Sequence, residues 1–552
     1  MIKHYFGTTI CIITYAVVWH HIKRGIRKNA MSLKGGNEVL LVVVVPCVLF
    51  ISWFADADPV YSAEGISHLI DKSRRSSDDI HERLLKFGIG YPEIVASSGV
   101  RGPALRLQRV CRKLIEGQDV EVVIFGGSTS CNAGVEREEQ GYPFQLKSLL
   151  TEFASTMALT EFNNVNSSSR GSRIKFINAC VSATGSEFFK HCYSQHTSPA
   201  TDLVILETSI NDHFHSGCRD LLGNDCDAGI NGDIEDLVRN VLKVSRWTAV
   251  LALNLFCPLH DGGRLNGGDV YHLLSIYYDM PVVILKNALL TKARVKETLN
   301  GYGYSQFFAK DDIHPNEKGH EVAALLLFYS ILEIYQTTLR SAGMDLQRGC
   351  FTMLNSTGAT EERCYFEDDF SKYEMKRRRF LPEQVMNDIG ITKRYSLGEH
   401  YKASQCQMVA EPSEEEEHKK GRLIALMERN WSFQMRRSRY NRKKYYYAAR
   451  EANASISFTL QSTFKKCRVL LYYLRSHYTS GVAKCYVHLP NTESQIVIPP
   501  TLIDSYMASA GGVGHLKQLN GILPEKGEYV LKCDNMDSGN REFRIIGVVL
   551  TS

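Results

Sequence analysis

The stretch VEVVIFGGSTS, residues 120–130, indicates the fold class because it joins a continuous apolar run to a turn of glycine and serine. Continuous apolar strands that alternate with helical segments are typical of a parallel sheet covered on both faces. Four later runs have this character: IKFINA (174–179), DLVILET (202–208), TAVLALNLF (248–256) and PVVILK (281–286). We therefore predict an α/β domain over residues 119–340.

The turn GGSTS places Ser128 directly after the first predicted strand. Open α/β sheets bind their ligands at the carboxyl ends of the strands. The backbone N–H groups of a helix that starts just after the serine could also stabilise an oxyanion. Ser128 is therefore a candidate nucleophile, although a phosphate-binding turn or a plain loop would have the same local sequence.

Two further segments supply possible partners for Ser128. In DDIHPNEKGH, Asp311 lies three residues before His314, a spacing that can put the carboxylate against Nδ1 and leave Nε2 facing a serine hydroxyl. In ETSINDHF, Asn211 follows the strand DLVILET and could donate its amide to an oxyanion, or simply form a turn with Asp212. Because each segment follows a predicted strand, we expect the side chains to meet at one edge of the sheet.

In this order and spacing, residues 119–335 resemble the SGNH (GDSL-like) hydrolases. GGSTS resembles the first block of that family, with Gly127 where many members have Asp. SIND resembles the third block, with Ser209 in place of its Gly, and Asp311 and His314 match the last block. The resemblance implies a three-layer α/β/α flavodoxin-like parallel sheet, a serine nucleophile, an acyl-serine intermediate, and neither a metal nor an organic cofactor.

The second family block is the imperfect one. In NACVSATGSEFF, Ala183 stands where the family has its oxyanion-binding Gly, and Gly185 lies two residues later. Alanine could supply the same backbone N–H if its conformation is not left-handed. The resemblance therefore implies an oxyanion hole formed by the Ser128 N–H, the Ala183 or Gly185 N–H and the Asn211 side chain.

The rest of the chain divides by composition. Residues 56–118 are predicted to form a helical stem and 341–423 an irregular linker. Residues 424–552 contain short, often alternating strands separated by Gly, Asn, Pro or Ser, which predicts a jelly-roll-like β-sandwich. This unit could bind carbohydrate, or it could simply pack on the hydrolase and stabilise it.

The first 55 residues predict a membrane anchor. Residues 39–54 are uncharged and apolar, and the Lys/Arg-rich segment before them is expected in the cytosol. The remainder would then face the Golgi or ER lumen or the cell exterior. A cleaved signal sequence and a buried core helix are the alternatives, and whether residues 5–19 also span the membrane stays open.

Sequons and cysteines fit a lumenal location. The sequons are Asn166, Asn355, Asn430 and Asn453. Of the 15 cysteines, the close pairs Cys218/Cys226 and Cys350/Cys364 could form disulfides in an oxidising compartment. No CxxC pair suggests zinc, and the net charge of +5 is dispersed, which gives little support for nucleic-acid binding.

We therefore expect a membrane-anchored serine esterase that removes a small acyl group, such as an O-acetyl group on a glycan. An O-acyltransferase of the same fold, in which a sugar hydroxyl replaces water, would have the same sequence features. A catalytically inactive glycan-binding protein is the alternative from a different class. Its support is the set of departures at Gly127, Ala183 and Ser209.

Overall fold

The computed structural model describes residues 63–99, 102–157, 173–215, 229–255, 257–258, 270–289, 305–348, 351–354, 360–363, 404–409, 423, 425–437, 443–477, 481–507, 512–537 and 541–552. The predicted anchor at 39–54, the sequons Asn166 and Asn355, and the cysteine pairs Cys218/Cys226 and Cys350/Cys364 lie outside the described residues. Residues 63–552 form one compact unit.

A parallel sheet forms the centre of the hydrolase region. Its strands are β1 (Val120–Gly126), β2 (Ile174–Asn178), β3 (Leu203–Glu207), β4 (Ala249–Asn254) and β5 (Val282–Ile284). Their order is β2-β1-β3-β4-β5, and the neighbouring strands pair in parallel. This is the flavodoxin-like order, which confirms the predicted fold class. Strands β1, β3 and β4 are buried on both faces, as their continuous apolar sequences predict.

Helices cover both faces of the sheet. They are α1 (Ala63–Lys86), α2 (Tyr91–Ser97), α3 (Leu105–Ile115), α4 (Tyr142–Thr156), α5 (Ser186–Cys192), α6 (Ser209–His215), α7 (Gly229–Val244), α8 (Val270–Tyr278) and α9 (Glu317–Arg348). Helices α1, α3 and α4 pack against α9, whereas α5, α7 and α8 share a core with the opposite face of the sheet. The segment predicted to be a stem is therefore helical and forms part of one helical layer.

Helix α9 follows His314, as predicted. Within the described part of the chain, its stretch Glu317–Ser341 is long and apolar enough to cross a membrane, but most of that stretch is buried inside the protein. Its apolar composition is accounted for by packing between the helical layer and the sheet.

The C-terminal strands form two facing antiparallel sheets, which confirms the β-sandwich. Two strands, β6 (Phe351–Leu354) and β7 (Thr360–Arg363), form a separate hairpin. The sandwich strands are β8 (Ser404–Met408), β9 (Ala425–Arg429), β10 (Trp431–Arg437), β11 (Lys443–Ala449), β12 (Ser455–Ser462), β13 (Cys467–Ser476), β14 (Val482–Leu489), β15 (Thr492–Asp504), β16 (Gly512–Leu523), β17 (Gly527–Asn535) and β18 (Phe543–Thr551). One sheet has the order β10-β11-β18-β13-β16, with β8 also paired to β18, and the other has the order β15-β14-β17-β12-β9. Strand β8 lies in the range expected to be linker, so the sandwich includes residues ahead of 424.

The sandwich packs directly on the hydrolase sheet's helical layer. Tyr472 of β13 and Leu516 of β16 lie in the same buried core as Phe188 of α5. A disulfide between Cys192, at the end of α5, and Cys406 of β8 also connects the two regions. The contact is therefore apolar and covalently crosslinked, in contrast to a flexible tether.

Candidate active site

The turn after β1 brings Ser128 to the carboxyl edge of the sheet. The Gly127 N–H donates to the backbone carbonyl of Glu207 on the neighbouring strand at 3.2 Å. A Cβ added at Gly127 would lie 1.7 Å from the Asn211 Nδ2. Since no real Cβ approaches another atom this closely, the structure has room only for glycine where many SGNH members have Asp. The same proximity places the Asn211 amide beside the serine turn.

Three polar side chains form a continuous chain of hydrogen bonds at this edge. The Ser128 Oγ lies 2.8 Å from the His314 Nε2, and the His314 Nδ1 lies 2.9 Å from the Asp311 Oδ2. With the ring proton on Nδ1, the imidazole donates to the carboxylate and accepts from the serine hydroxyl. The side chains of His314 and Asp311 are 18% and 26% exposed, so a substrate can reach them from solvent.

The carboxylate of Asp311 is also held by its own loop. Its Oδ1 accepts hydrogen bonds from the backbone N–H groups of Ile313 and His314, both at 3.1 Å. Burial alone would raise the pKa of Asp311, but the hydrogen bonds and charge of His314, together with the Ile313 N–H, hold it well below its ordinary value. Asp311 is therefore ionised at neutral pH and can orient the imidazole and stabilise its protonated form.

Asn316 fixes the His314 loop to the start of α9. Its Oδ1 accepts from the backbone N–H groups of Lys318 and Gly319 at 3.0 and 3.2 Å, which is an N-cap arrangement. Its Nδ2 donates to the carbonyl of Phe308 at 3.1 Å. The IHPN sequence thus places His314 just ahead of a long buried helix.

Gly134 allows the chain after the serine turn to approach the His314 loop closely. Its φ is +103°, a conformation that L side chains rarely adopt. A Cβ there would lie 1.8 Å from the carbonyl oxygen of Pro315 and 3.2 Å from the His314 Cβ. The relative position of Ser128 and His314 therefore depends on a glycine that the sequence analysis did not select.

Asn211 lies in the first turn of α6, directly after β3. Ser209, two residues before Asn211, stands where the SGNH hydrolases have Gly, and its side chain has a structural role here. Its Oγ accepts from the backbone N–H of Leu255 at 3.0 Å and donates to the Leu255 carbonyl at 3.1 Å. On the other side, the Asp212 Oδ1 accepts from the Ser186 N–H at 2.7 Å. Ser209 and Asp212 therefore hold Asn211 from both sides.

The loop between β2 and α5 contains both candidates for the second oxyanion donor. Ala183 has a φ of +66°, so it adopts the left-handed conformation that the sequence analysis required it to avoid. A non-glycine residue in this region is strained by about 1–2 kcal/mol. Gly185 is extended, with a φ of −109°, and its Cβ position would lie 2.3 Å from the Asp212 Oδ1. The glycine at 185 is thus explained by its packing on Asp212, while Ala183 has the backbone geometry that favours glycine. The requirement that Ala183 avoid this conformation is wrong: a left-handed residue keeps its backbone N–H, so Ala183 stays a candidate donor.

A disulfide that the sequence analysis did not predict lies beside Ser128. Cys131 follows the serine by three residues, and Cys180 lies in the loop that contains Ala183. They are bonded, with their Cα atoms 5.4 Å apart. The 49-residue separation of the two cysteines gave no local signal for this pairing.

Glu207 is a further site-supporting residue that the sequence analysis missed. It ends β3 beneath the serine turn, fully buried, and its Oε2 accepts from the Ser130 Oγ at 2.7 Å and from the Ser130 N–H at 3.2 Å. Burial raises the pKa of Glu207 to about 8 against the opposing effect of these hydrogen bonds. The carboxyl is therefore mainly protonated at neutral pH. The signal was present in DLVILET, where an acidic residue ends an apolar strand.

His320 connects α9 to the serine side of the site. The fully buried ring accepts from the Tyr142 N–H through Nδ1 at 3.1 Å and donates through Nε2 to the Ala133 carbonyl at 2.9 Å. Both ring nitrogens therefore have backbone partners, which is typical of a structural histidine. Its role is to hold α9, and hence the loop ahead of it, against the turn that follows Ser128.

Two of the predicted sequons are described. Asn430 and Asn453 are both exposed and have positive φ values of 59° and 62°. Asn430 lies between β9 and β10, and Asn453 lies just before β12. Both are accessible at turns of the sandwich, and their glycosylation remains a prediction.

No family model matches the chain, and no curated protein matches it. Among solved structures, it resembles a two-domain esterase (CEX) active on acetylated mannans, with 16% identity, a TM-score of 0.49, and coverage of 83% of this chain and 98% of the other. It also resembles a protein designated a GDSL-like lipase from Parabacteroides merdae, with 13% identity, a TM-score of 0.29, and coverage of 39% and 97%.

The chain also resembles the carbohydrate-binding module CBM36 in complex with calcium and xylotriose, with 9% identity, a TM-score of 0.17, and coverage of 24% of this chain and 98% of the other. Likenesses of this degree assign neither an activity nor a substrate to the chain.

Proposed function

We propose that the chain is a serine esterase that removes a small acyl group through an acyl-serine intermediate, with Ser128, His314 and Asp311 as its catalytic triad. The observation that carries the proposal is the hydrogen-bonded chain from the Ser128 Oγ through His314 to Asp311, at 2.8 and 2.9 Å. In this geometry the imidazole accepts from the serine hydroxyl, which is the arrangement that a general base requires.

The proposed reaction begins when the His314 Nε2 takes the proton of the Ser128 hydroxyl as Oγ attacks the ester carbonyl carbon. The carbonyl oxygen becomes an oxyanion, for which the Ser128 N–H, the Ala183 N–H and the Asn211 amide are the proposed donors. Protonated His314 then gives its proton to the leaving alkoxide, and the acyl-serine remains. Water, deprotonated by His314, attacks the acyl-serine; the carboxylic acid leaves and Ser128 regains its proton.

We assign a small acyl group on a glycan as the substrate class. The serine turn has polar neighbours, Thr184 and Asn211, and such surroundings suit an acetyl group better than a long acyl chain, which needs an apolar channel. The partly exposed triad can be reached by an ester on a polymer. The sandwich fixed beside it favours a carbohydrate polymer by fold-level analogy.

The proposal includes the location inferred from the sequence, with residues 39–54 as a membrane anchor and the hydrolase in the Golgi or ER lumen or at the cell exterior. Three disulfides among the described cysteines support an oxidising compartment. Protease protection of the full-length chain in sealed microsomes tests this placement. A hydrolase region that is digested without detergent would contradict it.

The activity is tested by p-nitrophenyl acetate hydrolysis with the full-length chain in detergent, beside Ser128→Ala. We expect a wild-type turnover that falls by at least about 10³-fold in the variant, because the nucleophile is lost. Equal activity in both proteins would rule out the acyl-serine route. Adding an acetylated glycan with and without an acceptor sugar separates an esterase, which releases acetate, from an acyltransferase, which transfers it to the sugar hydroxyl.

A further inference from the structure

The β-sandwich reaches the loop that contains Ala183. The backbone N–H of Gly514, near the start of β16, donates to the Ala183 carbonyl at 2.6 Å. The Tyr472 hydroxyl of β13 forms a hydrogen bond with the Thr184 Oγ1. Tyr472 and Thr184 are both completely buried, so these contacts exclude water. Two consecutive loop residues are thus held by the C-terminal domain.

Helix α5, which begins directly after this loop, is held by the same domain. The Tyr472 ring stacks on Phe188, with ring centroids 4.7 Å apart. The His515 Nδ1 lies 3.0 Å from the Glu187 Oε2. The disulfide Cys192–Cys406 then fixes the far end of the helix. These three contacts therefore restrict any movement of the loop together with α5.

Displacement of this loop would change its contacts with the turn that contains Ser128. The Thr184 carbonyl oxygen lies 3.3 Å from the position of a Cβ at Gly127, so the loop and the turn are in close contact. Ala183, with its φ of +66°, is in a conformation that alanine does not favour by itself. Contacts from outside the loop are therefore needed to keep it there.

We infer that Tyr472 of the β-sandwich is a positioning residue for the oxyanion hole, which acts through its hydrogen bond to Thr184 and beside the Gly514 to Ala183 hydrogen bond. This role rests on the proposed esterase function. The C-terminal domain then contributes to the chemistry by fixing the loop that supplies one oxyanion donor. We expect its loss to lower kcat and leave substrate binding unchanged, because the oxyanion forms only in the tetrahedral intermediate and the transition states on either side of it.

The test is Tyr472→Phe in the full-length chain, with Tyr473→Phe as the matched control. Tyr473 is the next residue of β13, is also buried, and donates its hydroxyl to the Asp504 carbonyl at 3.5 Å. Its ring faces the sandwich core, whereas Tyr472 faces the hydrolase. Both substitutions remove one buried hydroxyl, and only the first removes a contact with the loop.

We expect Tyr472→Phe to lower kcat for p-nitrophenyl acetate by about 10-fold with KM within about twofold, less than the 10²- to 10³-fold typical of losing a whole donor. Tyr473→Phe should keep the wild-type kcat. Thr184→Val should match Tyr472→Phe, and the double variant should be no slower than either single variant, because both remove the same hydrogen bond.

A thionoester substrate gives a readout that a purely structural role would not change. Its developing sulfur anion accepts hydrogen bonds weakly, so a weakened oxyanion hole should slow the oxygen ester more than the thionoester. We expect Tyr472→Phe to lower the ratio of the oxygen-ester rate to the thionoester rate, and Tyr473→Phe to leave this ratio unchanged. A wild-type kcat and ratio in Tyr472→Phe would overturn the inference. Wild-type activity that survives Ser128→Ala would instead overturn the proposed function itself.

Discussion

The disulfide Cys131–Cys180 is predicted to hold the two loops beside Ser128 in their active arrangement. In the double variant Cys131→Ser/Cys180→Ser, these loops keep the backbone hydrogen bond from Val181 to Gly126 at 3.0 Å but lose their covalent link. Because a misplacement of about 1 Å in an active site can cost about 10²-fold in rate, we expect kcat to fall by about 10- to 100-fold.

A second disulfide supplies a control of nearly equal size. Cys485–Cys533 joins β14 to β17 and spans 48 residues, against 49 for Cys131–Cys180. The loop-entropy relation gives about 4 kcal/mol of stabilisation for each. Both double serine variants should therefore lose a similar free energy of unfolding, while only the loss of Cys131–Cys180 should lower kcat.

The assay combines urea unfolding with steady-state hydrolysis of p-nitrophenyl acetate, at a temperature where both variants remain folded. Wild-type kcat in the Cys131→Ser/Cys180→Ser protein would show that hydrogen bonds alone position the loops. Equal losses of kcat in both double variants would point to general loosening of the fold. Either result would refute the idea that this disulfide acts locally on the site.

Three further predictions concern single residues. Gly134→Ala should lower kcat by at least about 100-fold, because the added Cβ would lie 1.8 Å from the Pro315 carbonyl oxygen and would displace it together with the adjacent His314. Gly102→Ala is the control: Gly102 also has a positive φ, but the nearest atom to its Cβ position is 3.6 Å away, so kcat should stay at the wild-type value. Asn211→Ala should lower kcat by about 10²- to 10³-fold with little change in KM, and a much smaller loss would remove Asn211 from the oxyanion hole. Burial raises the pKa of Glu207 from 4.5 to about 8, so its contribution to the free energy of unfolding is complete below pH 4.5 and is lost as the pH rises through 8, about 4–5 kcal/mol in all. Glu207→Gln should remove this part of the pH dependence when urea unfolding is compared at pH 5 and pH 8, and an unchanged dependence would contradict the prediction.

The sequence predicted the parts of the fold that depend on local pattern. Strands β1, β3, β4 and β5 were predicted because apolar runs buried on both faces have no alternation. The edge strand β2 is only partly buried and was predicted from its apolar residues. Ser128, Asn211 and His314 could be selected because each follows a strand, and parallel strands bring their carboxyl ends to one edge. Local order along the chain was sufficient for these residues.

The residues that the sequence analysis missed depend on contacts between distant segments. Gly134 looks like any loop glycine until the Pro315 carbonyl is placed against it. The pairing of Cys131 with Cys180 depends on the neighbouring positions of β1 and β2 in the sheet, and the spacing of the cysteines along the chain does not predict it. Tyr472 looks like ordinary core because it lies in the continuous apolar run VLLYYL of β13, and its hydroxyl contacts Thr184 only after the sandwich packs on α5.

The three departures from the SGNH blocks, which were the support for an inactive protein, each have a matching contact in the folded chain. Gly127 leaves the space that the Asn211 amide fills, and Ser209 bonds both backbone groups of Leu255. Ala183 is strained, but the sandwich holds its carbonyl through Gly514. The three departures therefore do not argue against the proposed active site, and contacts from the C-terminal domain offset the strain at Ala183 that a glycine would avoid.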